Sequence, residues 1–284
     1  MQKKLFITDF DGTLLRDDKT ICPKDLNALK KLEHHGIVRC IATGRSIYSF
    51  LKILKTFGLN IHKFPVDYLI FSTGACIMES YNEEIIKSFS LEEADVILIA
   101  NYFETCRLDY MVHKPVPDTN YFVYKHHGGK NSDFKARIEI YKEYVLPLEQ
   151  NMDSFGRATQ VLSIIPCKSS YASFERIEKI KKDLGKYSVI IATSPLDHES
   201  LWVEVFNKEV SKSKAAAFLS NKLSIKRENV ISIGNDSNDM DLLLWSGKGF
   251  VVANALDDLK QEFEQLPSNN NCGVCTAVEK CIKA

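Results

Sequence analysis

Leu5-Phe6-Ile7-Thr8-Asp9-Phe10-Asp11-Gly12-Thr13-Leu14 decides how the rest of the chain is read. An apolar run stops at two carboxylates one residue apart, and glycine and threonine follow at once. Such a run, closed by turn residues, is the pattern of a buried parallel strand. Asp9 and Asp11 then lie just past its carboxyl end, where open α/β sheets bind ligands. Two carboxylates this close repel one another unless a cation lies between them. Mg²⁺ suits the place, because it takes a few carboxylates together with water and phosphate oxygens. Asp-x-Asp alone is an ordinary surface turn. Behind an apolar strand and before Gly12-Thr13-Leu14, it points to a metal-assisted site for a phosphorylated substrate.

The flanking sequence repeats the strand-then-helix alternation. Pro23 opens a helical pattern with Leu26, Leu29 and Leu32 that closes at Gly36. Ile37–Ala42 is a second strand, ending in Thr43-Gly44-Arg45, a strand-to-helix turn suited to phosphate oxygens. Val66–Phe71 is a third, ending in Ser72-Thr73-Gly74. This order predicts a parallel sheet with right-handed crossovers. From about Tyr81 to Phe206 the segments are more aromatic and less regular, and strands mix with helices as in an α+β insert. The α/β pattern then resumes. Val210-Ser211-Lys212-Ser213-Lys214 leads into a helix, and strand Asn229–Ile233 ends in Gly234-Asn235-Asp236-Ser237-Asn238-Asp239. Gly249–Ala253 reads as the last strand, Asp257–Leu266 as a helix, and Gly273–Ile282 as the final helix. The expected organisation is a core from 1–81 and 208–284 with an insert at 82–207.

The 284 residues are 45% apolar and 26% charged, as in ordinary globular proteins. Lys+Arg and Asp+Glu both number 37, which argues against a strongly basic nucleic-acid-binding surface. No apolar run approaches the length of a membrane span. The N-terminal stretch lacks a signal-peptide pattern, so a cytoplasmic location is the default. The cysteines, at 22, 40, 76, 106, 167, 272, 275 and 281, are therefore expected to be reduced. Cys272-Gly-Val-Cys275 is a lone CxxC; a zinc site needs further ligands, and only Cys281 is near in sequence.

Three strand ends carry polar clusters, and a parallel sheet brings all such ends to one edge. Here the chain resembles a family. Asp9-Phe-Asp11-Gly-Thr13 resembles the first motif of the haloacid-dehalogenase-like phosphohydrolases, and Thr43-Gly44-Arg45 their second in its Cof-type form. Lys212 in Val-Ser-Lys resembles the third motif, and Gly234-Asn-Asp-Ser-Asn-Asp239 the fourth. The resemblance implies a Rossmann-like α/β core with an inserted α+β cap of the C2 type that sets specificity.

It further implies a Mg²⁺-dependent phosphatase acting on small phosphorylated metabolites such as sugar phosphates. Asp9 would be the nucleophile and Asp11 the general acid and base. Thr43, Gly44, Arg45 and Asn238 would hold the substrate, and Lys212 would neutralise charge on Asp9 and the phosphoryl group. Lys212 is preferred to Lys214 because Val-Ser-Lys matches the family pattern in register. The metal wall would draw on Asp9, Asp11, Asn235, Asp236 and Asp239. The fourth motif departs from the usual one, which has Asp directly after the glycine where this chain has Asn235. Either Asn235 ligates weakly, or Asp236 swings in, or Asp239 carries more of the burden. A sugar-phosphate mutase and a non-catalytic phosphometabolite sensor stay open as alternatives. No nucleic-acid or membrane partner is implied, and a monomer or weak homodimer is expected.

Overall fold

The computed structural model describes residues 3–148, 156–166 and 171–283. They form two compact units. One comprises the segments through Arg45, Ser49–Ser88 and from Ser211 onward; the other comprises Ser46–Tyr48 and Phe89–Val210.

The first unit begins with β1 (Lys4–Thr8), α1 (Pro23–His34), β2 (Ile37–Ala42), α2 (Ile47–Thr56), β3 (Tyr68–Phe71), β4 (Cys76–Glu79) and β5 (Ile85–Ser88). The second unit supplies α3 (Glu93–Thr105), β6 (Tyr110–His113), β7 (Phe122–Lys125), α4 (Ser132–Ile140), β8 (Val145–Pro147), β9 (Gln160–Ile165), α5 (Tyr171–Asp183), β10 (Ser188–Thr193) and β11 (Leu201–Phe206). The chain returns to the first unit with α6 (Lys212–Lys222), β12 (Val230–Gly234), α7 (Met240–Trp245), β13 (Lys248–Val252), α8 (Asp257–Glu262), β14 (Glu264–Leu266) and α9 (Gly273–Lys283).

The core sheet has the order β14-β13-β12-β1-β2-β3-β4-β5, parallel from β14 to β3 and antiparallel beyond. β1 is central, and Leu5, Phe6 and Ile7 are wholly buried. Each such side chain contributes about 2–3 kcal/mol by leaving water. A strand covered on both faces has no polar alternation, which is why the Leu5–Thr8 run is unbroken. Because β1, β2 and β12 are parallel, Asp9, Thr43 and Asn235 leave the sheet at one edge.

Three details differ from the sequence expectations. The β4–β5 hairpin extends the first core segment to Ser88, beyond residue 81. The helix expected over Asp257–Leu266 stops at Glu262, and Glu264–Leu266 adds to the sheet as β14, in register with Phe250–Val252. The ladder hydrogen bonds offered by β13 outweigh local helix propensity there. The third difference is a disulfide between Cys22 and Cys272, whose Cα atoms are 5.9 Å apart. This corrects the expectation that the cysteines are all reduced. The two lie 250 residues apart and meet because α1 packs against α9. Cys40, Cys76, Cys106, Cys275 and Cys281 are free thiols, and Cys167 lies outside the described residues.

In the second unit the sheet order is β10-β11-β9-β6-β7-β8. Period-two alternation divides its side chains between two faces. Val203 and Val205 of β11 pack with Val96, Phe103 and Ile177. Trp202 goes to the other face with Phe122, Phe134 and Leu162. There its indole N–H donates to Asp133 at 2.8 Å, and the Arg137 guanidinium lies 4.4 Å from its ring centre. Trp202 is a packing residue. No helix among the described residues is long and apolar enough to cross a membrane.

His113, at the end of β6, is 2% exposed. Burial, aided by the Arg137 charge and opposed by the Thr119 carbonyl, pushes its pKa down to about 3 from 6.5. The folded histidine stays neutral while the unfolded one takes a proton near its ordinary pKa. Its stability contribution is therefore present above about pH 6.5 and lost as pH falls towards 3, roughly 3 kcal/mol by pH 4.5. Asp9, whose pKa is raised to about 7, gains stability as pH falls through the same interval, so the His113 effect is read as a difference: in urea unfolding the parent should lose roughly 3 kcal/mol relative to His113→Gln between about pH 6.5 and 4.5. A parent-to-variant difference that does not change with pH would contradict the assignment.

Candidate active site

The site lies within the first unit and is assembled from four strand or helix ends. Asp9 directly follows β1. Its N–H donates to the Ile233 carbonyl at 2.9 Å, which carries the strand pairing one residue further and fixes the Asp9 backbone. Phe10 turns back into the core against Phe50, ring centres 4.9 Å apart. The side chains of Asp9 and Asp11 are thereby left on the open edge. Gly12 has φ +74°, and a Cβ there would stand 2.6 Å from the Asn235 amide nitrogen. The glycine is needed both for its backbone conformation and for that approach.

Lys212 is the first residue of α6 and is wholly buried. Its Nζ lies 2.7 Å from Asp9 Oδ1 and 2.5 Å from Asp239 Oδ1. Ser211 caps the helix by accepting from the Lys214 N–H, and Lys214 itself is exposed. The placement of Lys212 depends on a close approach between Gly74 and Ser211: a Cβ on Gly74, at φ +112°, would collide with the Ser211 carbonyl. Ser72 and Thr73 also have positive φ, +47° and +55°. For a β-branched residue this is a strained conformation of the kind kept at functional sites. The Ser72-Thr73-Gly74 turn was visible in the sequence only as a strand end.

The buried Asp9–Lys212–Asp239 cluster is held electrostatically. Burial and the neighbouring Asp239 charge push the Asp9 carboxyl up to about 7, against the downward pull of Lys212. Burial alone would lower the Lys212 pKa, but Asp239 and Asp9 more than offset it and raise it. A cation added beside Asp9 would relieve the same repulsion.

The Gly234–Asp239 loop separates the acidic residues by what they touch. Asp239 Oδ2 accepts from the Asn235 and Asp236 N–H groups at 2.9 and 3.1 Å. Both of its oxygens are thus engaged, one with the loop backbone and one with Lys212. Gly234 is required below it, since a Cβ there would stand 2.5 Å from the Asp239 carboxyl carbon. Asp236 caps the following turn, accepting from the Ser237 N–H at 2.7 Å. Asn235 reaches inward instead. One atom of its amide lies 3.0 Å from the Asp11 carbonyl, 3.2 Å from Asp9 Oδ2 and 2.9 Å from Thr13 Oγ1. Oriented as nitrogen it is placed to donate to these oxygens; oriented as oxygen it accepts from the Thr13 hydroxyl and lies 3.0 Å from the Asp11 carbonyl and 3.2 Å from Asp9 Oδ2. Oxygens about 3 Å apart match an octahedral edge for ligands at about 2.1 Å, so the donor set fits Mg²⁺.

Thr43 is wholly buried at the end of β2, and its Oγ1 accepts from the Arg45 N–H at 3.1 Å. A Cβ on Gly44 would lie 3.8 Å from the Asn238 amide nitrogen, so the second and fourth clusters adjoin. Arg45 forms a two-pronged pair with Asp11, Nε to Oδ2 at 2.7 Å and Nη2 to Oδ1 at 2.6 Å. A guanidinium fork of this kind fixes the carboxylate plane. The family resemblance implies Arg45 as a substrate contact; the structure adds its pairing with Asp11, which nothing in the sequence marks. In the second unit, Arg157 pairs with Glu92 at the surface, His126 Nδ1 lies 3.0 Å from Asp109 and His127 Nε2 lies 3.6 Å from Glu104.

Comparison with known proteins agrees with this architecture. A family model described as haloacid dehalogenase-like hydrolase matches residues 6–278. The putative phosphatase YxeH of Bacillus subtilis is 24% identical, with 99% of each chain covered. A haloacid dehalogenase-like hydrolase structure from B. subtilis superposes with TM-score 0.76 at 18% identity, covering 97% of this chain and 99% of the other. A structure described as a HAD subclass IIB sugar phosphatase superposes with TM-score 0.75 at 18% identity, covering 98% of both chains.

Proposed function

Because the chain belongs to the haloacid dehalogenase-like hydrolases, we propose that it is a phosphatase for small phosphorylated metabolites, sugar phosphates first among them. The observation that carries this reading is the Asp9–Lys212–Asp239 chain: a buried lysine held against one oxygen of a strand-end carboxylate. In this reading Asp9 attacks phosphorus and the leaving oxygen takes a proton from Asp11. Water then attacks the aspartyl-phosphate, Asp11 removes its proton, and inorganic phosphate departs with Asp9 regenerated. Lys212 balances the charge that gathers on Asp9 and the phosphoryl oxygens. Thr43, the Gly44 N–H and Asn238 hold those oxygens. Mg²⁺ held by Asp9, the Asp11 carbonyl and Asn235 would supply further neutralisation as the phosphate approaches.

Two residues take positioning roles. Arg45 orients the Asp11 carboxyl, and Asp239 acts through Lys212 and the Asn235 backbone rather than on the metal. Asp236 serves the turn. The second unit acts as the cap that selects the leaving group and excludes water.

A panel of sugar phosphates, nucleotides and aryl phosphates tests the proposal. Phosphate release that requires Mg²⁺, stops with chelator and is fastest with sugar phosphates is expected. A preference for nucleotides would overturn the substrate class, and no Mg²⁺-dependent release from any member would overturn the function. The Asn235 assignment has its own test. Asn235→Asp adds a charged oxygen ligand, so half-saturation should fall to about a tenth of the parent Mg²⁺ concentration. The same variant should be less thermostable in chelator, where the new carboxylate faces Asp9 without a cation. An unchanged Mg²⁺ requirement would remove Asn235 from the metal wall.

A further inference from the structure

The N-terminal ends of α1 and α9 each carry two ligand-type side chains three residues apart. Cys22 caps α1 and Asp25 lies in its first turn; Cys272 immediately precedes α9 and Cys275 lies in its first turn. The helices pack together. Cys22 Sγ, Cys272 Sγ and a carboxylate oxygen of Asp25 all lie within 4.8 Å of one another. The sequence showed only the lone Cys272-x-x-Cys275, because the other half of the set is at the opposite end of the chain.

A second observation comes from Asp25. It is wholly buried, and its Oδ1 accepts from the Cys275 N–H at 2.6 Å. Its Oδ2 is buried with no hydrogen-bond partner. A buried carboxylate oxygen without a donor is costly, and buried charges are normally paired or bound to metal. This one sits beside two sulfurs. Burial and the Glu279 and Asp25 charges push the Cys275 thiol up, so the proton there is displaced by the metal itself.

We propose that, once the Cys22–Cys272 disulfide is reduced, Cys22, Cys272 and Asp25 bind one thiophilic divalent cation of the zinc type, with Cys275 rotating in as fourth ligand. Two thiolates, a carboxylate and a further thiolate form a tetrahedral set suited to zinc and unsuited to Mg²⁺. Reduction by a dithiol transfers two electrons and two protons to the protein, giving two thiols while the dithiol closes to its own disulfide. Metal binding then releases the protons of the thiols it ligates. The disulfide and the metal-bound form are thus alternative states of one site, separate from the oxygen donors around Asp9.

The test uses the full chain, reduced in its folded state without oxygen, freed of reductant and titrated with Co²⁺. One tightly bound equivalent with a thiolate-to-cobalt charge-transfer band is expected, displaced by one equivalent of Zn²⁺. Co²⁺ at the Asp9 oxygens gives no such band. Asp25→Asn keeps the Oδ1 acceptor for Cys275 and should weaken binding about tenfold or more. Cys275→Ser should lower the band, and Cys106→Ser should leave it unchanged. The proposal is overturned if no charge-transfer band forms, if Asp25→Asn and Cys275→Ser both leave it unaltered, or if the disulfide stays closed under reductant while the protein remains folded.

Discussion

Asp9→Asn is expected to lower turnover by about ten-thousandfold or more. The amide has the size of the carboxylate but cannot form the acyl-phosphate, and the remaining groups cannot substitute for a lost nucleophile. The fold should not suffer. Asp9 is 5% exposed, and its oxygen shares the Lys212 ammonium with Asp239. Removing one of two carboxylates around a single lysine leaves a neutralised pair. Thermal stability in chelator should therefore match or exceed that of the parent, as happens where function keeps like charges together. Circular dichroism melting and steady-state phosphate release on the same preparation check both halves. Retained turnover would exclude Asp9 as nucleophile.

Lys212→Met is expected to damage both activity and stability. It empties the position between Asp9 and Asp239 and leaves two buried carboxylates without their cation. Breaking a buried ion pair from one side costs about 3–5 kcal/mol, and loss of a charge-stabilising donor costs about 10²–10³ in turnover. Adding Asp239→Asn to Lys212→Met should recover much of the stability and none of the activity, which separates the structural from the catalytic role. Lys214→Ala should change neither quantity by more than about twofold, the ordinary result for an exposed residue. Inactivation by Lys214→Ala alone would reverse the assignment.

The strand ends were legible in the sequence because a buried parallel strand is written locally. Leu5–Thr8, Ile37–Ala42 and Asn229–Ile233 are apolar runs closed by turn residues, and their parallel arrangement follows from the helices between them. Convergence of Asp9, Thr43 and the Gly234–Asp239 loop on one edge needed no coordinates beyond that rule. The second unit was legible only in outline. Nothing local marks α4 or β8 there, and in the core β14 carries a helix-like pattern, because short elements take their state from neighbours rather than from their own periodicity.

Contacts between side chains on different strand ends belonged to the tertiary structure. Lys212 and Lys214 look alike at the start of α6, but two residues apart on a helix they point to opposite sides, and only the packing of α6 decides that Lys212 faces Asp9 while Lys214 is exposed. Asn235 and Asp236 are adjacent, and the chemistry of the residue types favours the acid as metal ligand. The backbone separates them, because Asp239 holds both their N–H groups, Asn235 lies beside Asp9 and Asp236 caps the turn. Arg45 meets Asp11, and Cys22 meets Cys272, by the same means. Local pattern fixes where a strand stops and which residue types follow it. Which of those residues touch is set by how strand ends and helix starts, up to 250 residues apart in the chain, are packed against one another.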